Sequence, residues 1–169
     1  MSSRRLVLIR HAKAEAAGSS DAARSLAARG RRDAAAVGRW LAEHGIEPDL
    51  VVISPAQRTR ETWALALRNL GAASPRATID PRIYENTTED LLAVMQEAEA
   101  DINTLLIVGH NPSIEQVAFA LDDGSGPASR EEMRGGFPTS ALAVLSVPGD
   151  WADVGPDKAT LEHFAAPRG

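Results

Sequence analysis

The chain has 169 residues and no cysteine, and its formal net charge at pH 7 is -5. This length predicts one domain over residues 1–169. The negative charge disfavours nucleic acid as a partner, and no apolar stretch is long enough to span a membrane. The absence of cysteine excludes disulfides and thiolate metal sites, which fits a reducing compartment. Taken together, these features lead us to expect a cytoplasmic protein that binds neither nucleic acid nor membrane.

The apolar runs of the sequence predict a parallel sheet. Continuous runs rich in β-branched residues occur at 5–9, 49–53 and 104–108. Such runs are typical of strands buried on both faces of a parallel sheet. Two later runs, at 140–147 and 158–165, predict further strands, and we place the last one at an edge of the sheet.

Helical patterns alternate with these strands. Helices are predicted at 28–45, 54–71, 87–100 and 111–121. Ser54 and Thr88 are typical helix caps, Pro55 suits the first turn, and Gly45 favours a helix end. Residues 122–138 are rich in glycine, serine and proline and predict a long loop, either a mobile connector or a rim over a site. Alternating strands and helices are typical of an α/β fold with crossover connections.

Charged and polar side chains follow three of the predicted strands. The first strand ends at Arg10 and His11, the second is followed one turn later by Arg58, and the third by His110 and Asn111. Ligands of an open parallel sheet bind beyond the carboxyl ends of its strands. We therefore expect these side chains to share one crevice.

A cluster of cations in an acidic protein favours an anionic ligand, and phosphate suits the donors present. Arginine donates two parallel hydrogen bonds to phosphate oxygens, and the helix starts after Ser54 and Asn111 add amide donors. A neutral imidazole can attack phosphorus to form a phosphohistidine, and a second, protonated histidine can stabilise the oxygens. By this reasoning either His11 or His110 can be the nucleophile.

The remaining histidines and aromatic residues are assigned no part in the site. The four histidines lack the spacing of known zinc sites, so we expect no metal and no other cofactor. His44 lies in the last turn of a predicted helix and His163 in a late strand. Trp40 and Trp63 are expected in the core, and the nearby Arg60 is expected to make a surface pair.

The ordered motifs resemble those of the histidine phosphatase superfamily, which has the phosphoglycerate mutase-like fold. They are Arg10-His11, "SPAQRTRET" at 54–62 and "VGHNP" at 108–112. The short chain, "RHAK" at 10–13 and "PTSALAVLSV" at 138–147 resemble its small SixA-type phosphohistidine phosphatase branch. The resemblance implies a three-layer α/β sandwich, with a mostly parallel central sheet flanked by helices.

The resemblance also implies roles for the residues of the crevice. His11 would be the nucleophile, Arg10 and Arg58 would hold the phosphoryl oxygens, and His110 would donate from the far side. Asn111 is assigned to phosphate binding beside them. No metal is implied.

The general acid is expected in "IYE" at 83–85, which resembles the Leu-x-Glu element of many relatives and points to Glu85. Glu85 as a plain surface carboxylate, and Glu89 or Asp90 as the acid, are open alternatives. A phosphorylated histidine is itself a good leaving group, so a weak or absent acid favours that substrate over an alkyl ester.

The sequence departs from the family pattern at two positions. Ala12 replaces the usual glycine after the nucleophile, which bears on how closely the backbone approaches phosphate. Ala27 replaces a threonine that would cap the first helix.

These observations favour a metal-independent phosphatase that forms phospho-His11 and acts first on phosphohistidine in a protein. One alternative is a broad-specificity small-molecule phosphomonoesterase that uses Glu85 as its acid. A second is a non-catalytic module that recognises a phosphorylated partner.

Overall fold

The computed structural model describes residues 3–71, 74–84, 87–128 and 130–169. Within these ranges the strands are β1 (Arg4–Arg10), β2 (Leu50–Ile53), β3 (Arg76–Ile79), β4 (Thr104–Gly109), β5 (Leu142–Val147) and β6 (Thr160–Ala165). They form one sheet in the order β3-β2-β4-β1-β5-β6. Strands β3, β2, β4 and β1 are parallel to one another, β5 is antiparallel to β1, and β6 is antiparallel to β5. The predicted mostly parallel sheet and the edge position of β6 are confirmed.

Helices cover both faces of the sheet. They are α1 (Ala28–Glu43), α2 (Gln57–Arg68), α3 (Thr88–Gln96), α4 (Ser113–Leu121) and the short α5 (Arg130–Arg134). Alternate residues of β1 face opposite layers: Val7 packs with α1 and α2, and Leu6 packs with α3, α4 and α5. This alternation builds the three-layer sandwich that the resemblance implied.

Several predicted helix boundaries are wrong by a few residues. The second helix begins at Gln57 rather than near Ser54, because the backbone of Ala56 is still extended, with a ψ of 144°. The Ser54 hydroxyl accepts from Ala56 N at 3.2 Å and contacts His110. The third helix is capped by Thr87, in a capping box with Asp90, and not by Thr88. The first helix has no side-chain cap, as the loss of threonine at position 27 predicted.

Residues 122–138 are not a plain loop. The segment contains α5, whose Met133 is buried, and Asp122 bridges to Ala159 beside β6. Phe137, near its end, is buried between the sheet and the crevice residues.

No helix in the described ranges is both long and apolar enough to cross a bilayer.

Candidate active site

The carboxyl ends of β1, β2 and β4 meet at one edge of the sheet and form a cavity. These strands are neighbours, with Arg10 paired to Gly109 and Ile53 paired to Val108. The cavity has a volume of about 630 Å³ and is lined by Arg10, His11, Lys13, Ala14, Asp21, Arg24, Arg58, Tyr84, His110, Asn111 and Thr139. Three separate strand ends thus bring Arg10, His11, Arg58, His110 and Asn111 to one place.

His11 is buried and held in one tautomer. Its side chain is only 8% exposed, and Nδ1 lies 2.8 Å from the carbonyl oxygen of Ala12. A carbonyl can only accept, so Nδ1 carries the hydrogen and Nε2 keeps a free lone pair. Burial, helped by the positive charges of Arg58 and Arg10, lowers the pKa of His11 to about 4. The ring is therefore neutral and nucleophilic at pH 7.

The backbone after His11 is tied to α2. Ala12 N donates to Thr62 Oγ1 at 3.0 Å, and Thr62 Oγ1 donates to the carbonyl oxygen of Arg58 at 2.7 Å. The Ala12 side chain is fully buried against Leu26 and Ala34 rather than lining the cavity. The methyl group that replaces the family's glycine hydrogen therefore leaves the cavity wall clear.

His110 faces His11 with its ring centroid 5.3 Å away. Nε2 lies 2.8 Å from Ser54 Oγ, and Nδ1 lies 3.4 Å from an Arg58 guanidinium nitrogen. Since a guanidinium only donates, Nδ1 accepts and Nε2 carries the hydrogen. Burial, with His11 and Arg58 nearby, lowers the pKa of His110 to about 3, so the ring is neutral at pH 7, where a protonated ring was expected. A phosphate dianion in the cavity would raise this pKa.

The two arginines present buried donors toward the crevice. Arg58 is 6% exposed, and two of its nitrogens donate to the Asp21 backbone oxygen and carboxylate at 2.8 and 3.1 Å. Arg10 donates to the carbonyl oxygen of Phe137 at 2.8 Å. In both residues Nε is buried without a hydrogen-bond partner among the described residues. Because a buried donor without a partner is costly, these N–H groups favour an anionic ligand.

Asn111 lies at the cavity wall, but its amide hydrogens are engaged. Nδ2 donates to the carbonyl oxygen of Phe137 at 3.1 Å and lies 3.4 Å from Glu115 Oε1. Its remaining polar atom, Oδ1, is an acceptor. This geometry favours a role in holding Phe137 at the cavity over donation to phosphate.

More than half of the chain, including Arg10, His11 and Arg58 of this site, matches a known family. Residues 6–103 match the sequence model of the histidine phosphatase superfamily (branch 1). The chain belongs to the histidine phosphatase superfamily.

Relatives place this histidine phosphatase in the SixA-type branch. An uncharacterised protein of Mycobacterium tuberculosis is 38% identical over 163 residues, covering 95% of this chain and 100% of that protein. A candidate phosphohistidine phosphatase SixA from Nakamurella multipartitia superposes with a TM-score of 0.85 at 34% identity, covering 99% of this chain and 98% of that one. The corresponding protein of Agrobacterium tumefaciens gives 0.81 at 28% identity and covers 99% of both chains. The predicted SixA-type resemblance and fold are confirmed.

Asp21 is a residue of this histidine phosphatase that the sequence reasoning missed. Its carboxylate accepts hydrogen bonds from the Tyr84 hydroxyl, from Arg58 and from Arg24. These bonds, that of Tyr84 foremost, lower the pKa of Asp21 to about 2. The partners lie 3 to 63 positions away along the chain, so no local motif links them.

The candidate general acids named from the sequence are not found among the described residues that line the cavity. Glu85 lies outside the described residues. Asp90 completes the capping box of α3, and Glu89 lies in the first turn of that helix; neither lines the cavity. Of the described carboxylates, Asp21 alone lines the cavity of this histidine phosphatase.

The residues that were assigned no role lie outside the cavity lining. Arg60 is exposed and donates to the carbonyl oxygen of Pro55 at 3.1 Å. Trp63 is buried as expected, whereas Trp40 is only half-buried. The Trp40 ring stacks on His44 at the end of α1, with the ring centroids 3.8 Å apart. His163 lies 5.2 Å from His44 between ring centroids.

Proposed function

We propose that this histidine phosphatase hydrolyses phosphohistidine in a phosphorylated protein, without a metal, through a covalent phosphoryl group on His11. The observation that carries the proposal is the His11 ring, buried and neutral with Nδ1–H fixed on the Ala12 carbonyl. This arrangement leaves Nε2 as an unprotonated nucleophile at neutral pH.

In the first step the Nε2 lone pair attacks phosphorus, and the bond between phosphorus and the substrate's ring nitrogen breaks. Arg10 and Arg58 donate to the phosphoryl oxygens as charge moves across them. His110 donates through Nδ1 once the phosphoryl dianion raises the pKa of its ring and Nδ1 takes up a proton. The bonding pair leaves with the substrate imidazole, which departs neutral when its second ring nitrogen carries a proton. That nitrogen titrates near neutral pH, so the step requires no proton from the enzyme.

In the second step water attacks phosphorus and the bond to Nε2 breaks. Because Nδ1 keeps its hydrogen throughout, phospho-His11 is a phosphorylated imidazolium, and cleavage returns the neutral ring. The water oxygen becomes part of the released phosphate, and its surplus proton passes to phosphate or solvent. The two half-reactions thus use the same kind of leaving group.

Asp21, the one carboxylate among the described residues that line the cavity, supports this choice of substrate. An alkyl phosphate requires an acid to protonate its leaving oxygen. Asp21 is a poor donor at pH 7, because hydrogen bonds from Tyr84, Arg58 and Arg24 lower its pKa to about 2. A phosphohistidine substrate does not need such an acid.

The test compares a phosphohistidine peptide with an alkyl phosphate, using the wild type, Glu85→Gln and the matched control Glu89→Gln. We expect Glu85→Gln to keep its kcat/KM on phosphohistidine within about threefold, and the wild type to prefer this substrate by about 100-fold or more. Glu89→Gln should match the wild type on both substrates.

Two results would replace the proposal. Faster wild-type hydrolysis of the alkyl phosphate, with both activities lost in Glu85→Gln, would establish a phosphomonoesterase that uses an acid. Binding of the phosphopeptide without any phosphate release would establish a recognition module.

A further inference from the structure

The "PTSA" segment at 138–141 has no part in the mechanism above, yet it contacts the nucleophile. Ser140 is fully buried and has a φ of 61°, a left-handed conformation that residues other than glycine rarely adopt. Its N–H donates to the carbonyl oxygen of His11 at 3.0 Å. Strained residues persist where their surroundings hold them, often at functional sites.

The contact from Ser140 completes a clamp on one peptide unit. The unit between His11 and Ala12 accepts from Ser140 N through its carbonyl and donates to Thr62 Oγ1 through its N–H. The next carbonyl along, that of Ala12, is the acceptor for His11 Nδ1 at 2.8 Å. The orientation of the clamped unit therefore sets the position of the atom that fixes the His11 tautomer.

Arg168 holds Ser140 in place from the segment that follows β6. Its NH1 group donates to Ser140 Oγ and lies 3.0 Å from the carbonyl oxygen of Thr139, which lines the cavity. The Ser140 hydroxyl in turn donates to the carbonyl oxygen of Pro167 at 3.3 Å. Both the side chain of Ser140 and the peptide before it are thus bonded to residues 167–168.

A buried carboxylate of α1 anchors this segment. The Asp33 side chain is 2% exposed, and its Oδ2 lies 3.5 Å from Arg168 NH1 and 3.4 Å from Arg29 Nε. Its Oδ1 accepts from Gly169 N at 3.1 Å. The hydrogen bond from Gly169 N ties this segment to α1, and the contact between Arg168 and Oδ2 is an ion pair without a hydrogen bond.

We propose that Arg168 is a positioning residue for the nucleophile, acting through Ser140 on the peptide unit between His11 and Ala12. The inference rests on the proposed function, because it takes His11 as the nucleophile. Without Arg168, Ser140 can relax from its left-handed conformation, and the clamped unit loses one of its two holds. The His11 ring then samples the tautomer with hydrogen on Nε2. In that tautomer Nε2 has no free lone pair with which to attack phosphorus.

The test uses Arg168→Ala, Arg168→Lys and the control Arg39→Ala, an exposed arginine of α1. Steady-state kinetics with a phosphohistidine peptide give kcat and KM, and ring nitrogen-15 shifts at pH 7.5 report the His11 tautomer. We expect Arg168→Ala to lower kcat by about 10-fold or more with KM nearly unchanged, and to show the second tautomer, because small misplacements of reacting groups slow catalysis strongly. Arg168→Lys should restore most of both properties, and Arg39→Ala should match the wild type.

Wild-type kcat in Arg168→Ala would overturn the inference. So would a fall in kcat with His11 still wholly in the Nδ1–H tautomer, since that pattern indicates a structural role only. The tautomer readout needs no turnover, so it separates this inference from the proposed function. If the wild type forms no phosphoryl adduct, the proposed function fails whatever the Arg168 variants show.

Discussion

The two buried histidines make the free energy of unfolding depend on pH. The dependence begins at a higher pH than the range in which ordinary carboxylates titrate. The folded-state pKa values of His11 and His110, about 4 and about 3, lie below the ordinary value of 6.5 because both rings are buried. The unfolded chain therefore binds protons at these residues more readily than the folded one. Their contribution to stability is fully present above pH 6.5 and is lost as the pH falls toward 4.

The size of this loss follows from the two shifts. Between the unfolded and folded pKa values, each histidine lowers the free energy of unfolding by about 1.4 kcal/mol per pH unit. The pair together accounts for about 3–4 kcal/mol between pH 7 and pH 5. Asp21, whose pKa is lowered to about 2, adds a loss in the same direction only below about pH 4.

Urea unfolding at pH 7, 6 and 5 measures this slope. The matched protein is the double variant His11→Asn and His110→Gln, in which the side-chain amides replace Nδ1–H and Nε2–H as donors. We expect the wild type to lose stability steeply over this range and the double variant to lose much less. A wild-type free energy of unfolding that changes by less than about 1 kcal/mol, or an equal slope in both proteins, would refute the reasoning.

Two substitutions test the packing that supports the site. Thr62→Val leaves the buried N–H of Ala12 without its acceptor, so we expect about 1–3 kcal/mol less stability in urea and a lower kcat, whereas Thr62→Ser should keep both. Wild-type kcat in Thr62→Val would show that the Thr62 hydroxyl does not position the backbone that follows His11. Gly30→Ala places a methyl group 2.0 Å from the carbonyl oxygen of Lys13, so we expect thermal unfolding to show a loss of about 1–3 kcal/mol, whereas Gly149→Ala, with no atom within 4 Å, should be neutral. Equal melting temperatures for the two alanine variants would contradict that packing.

The buried strands could be predicted from the sequence because burial on both faces leaves a continuous apolar run. Leu6 to Ile9 and Leu105 to Val108 are fully buried in the structure. The edge strand β3 leaves no such signal, since all four of its residues are exposed. Its position depends on pairing with β2, a tertiary contact that no local pattern encodes.

The same difference between local and tertiary signals separates the predicted and missed site residues. Arg10, His11 and His110 follow strands that end at one edge of the sheet, so topology alone predicts that they meet. Asp21 and Ser140 are brought to the site by loops, and the partners that tie them to it, Arg58 and His11, lie far away in sequence. Residues that orient others through hydrogen bonds have no fixed spacing from them, so a motif does not reveal them.

The measurement that tests the central claim most directly is the intact mass of the protein quenched during turnover of a phosphohistidine peptide. It compares the wild type with His11→Ala, with and without acid treatment before mass analysis. The proposed mechanism predicts a wild-type adduct of one phosphoryl group that is lost in acid, with neither adduct nor phosphate release in His11→Ala. Phosphate release by the wild type without any adduct, or release at the wild-type rate by His11→Ala, would contradict a phosphoryl intermediate on His11.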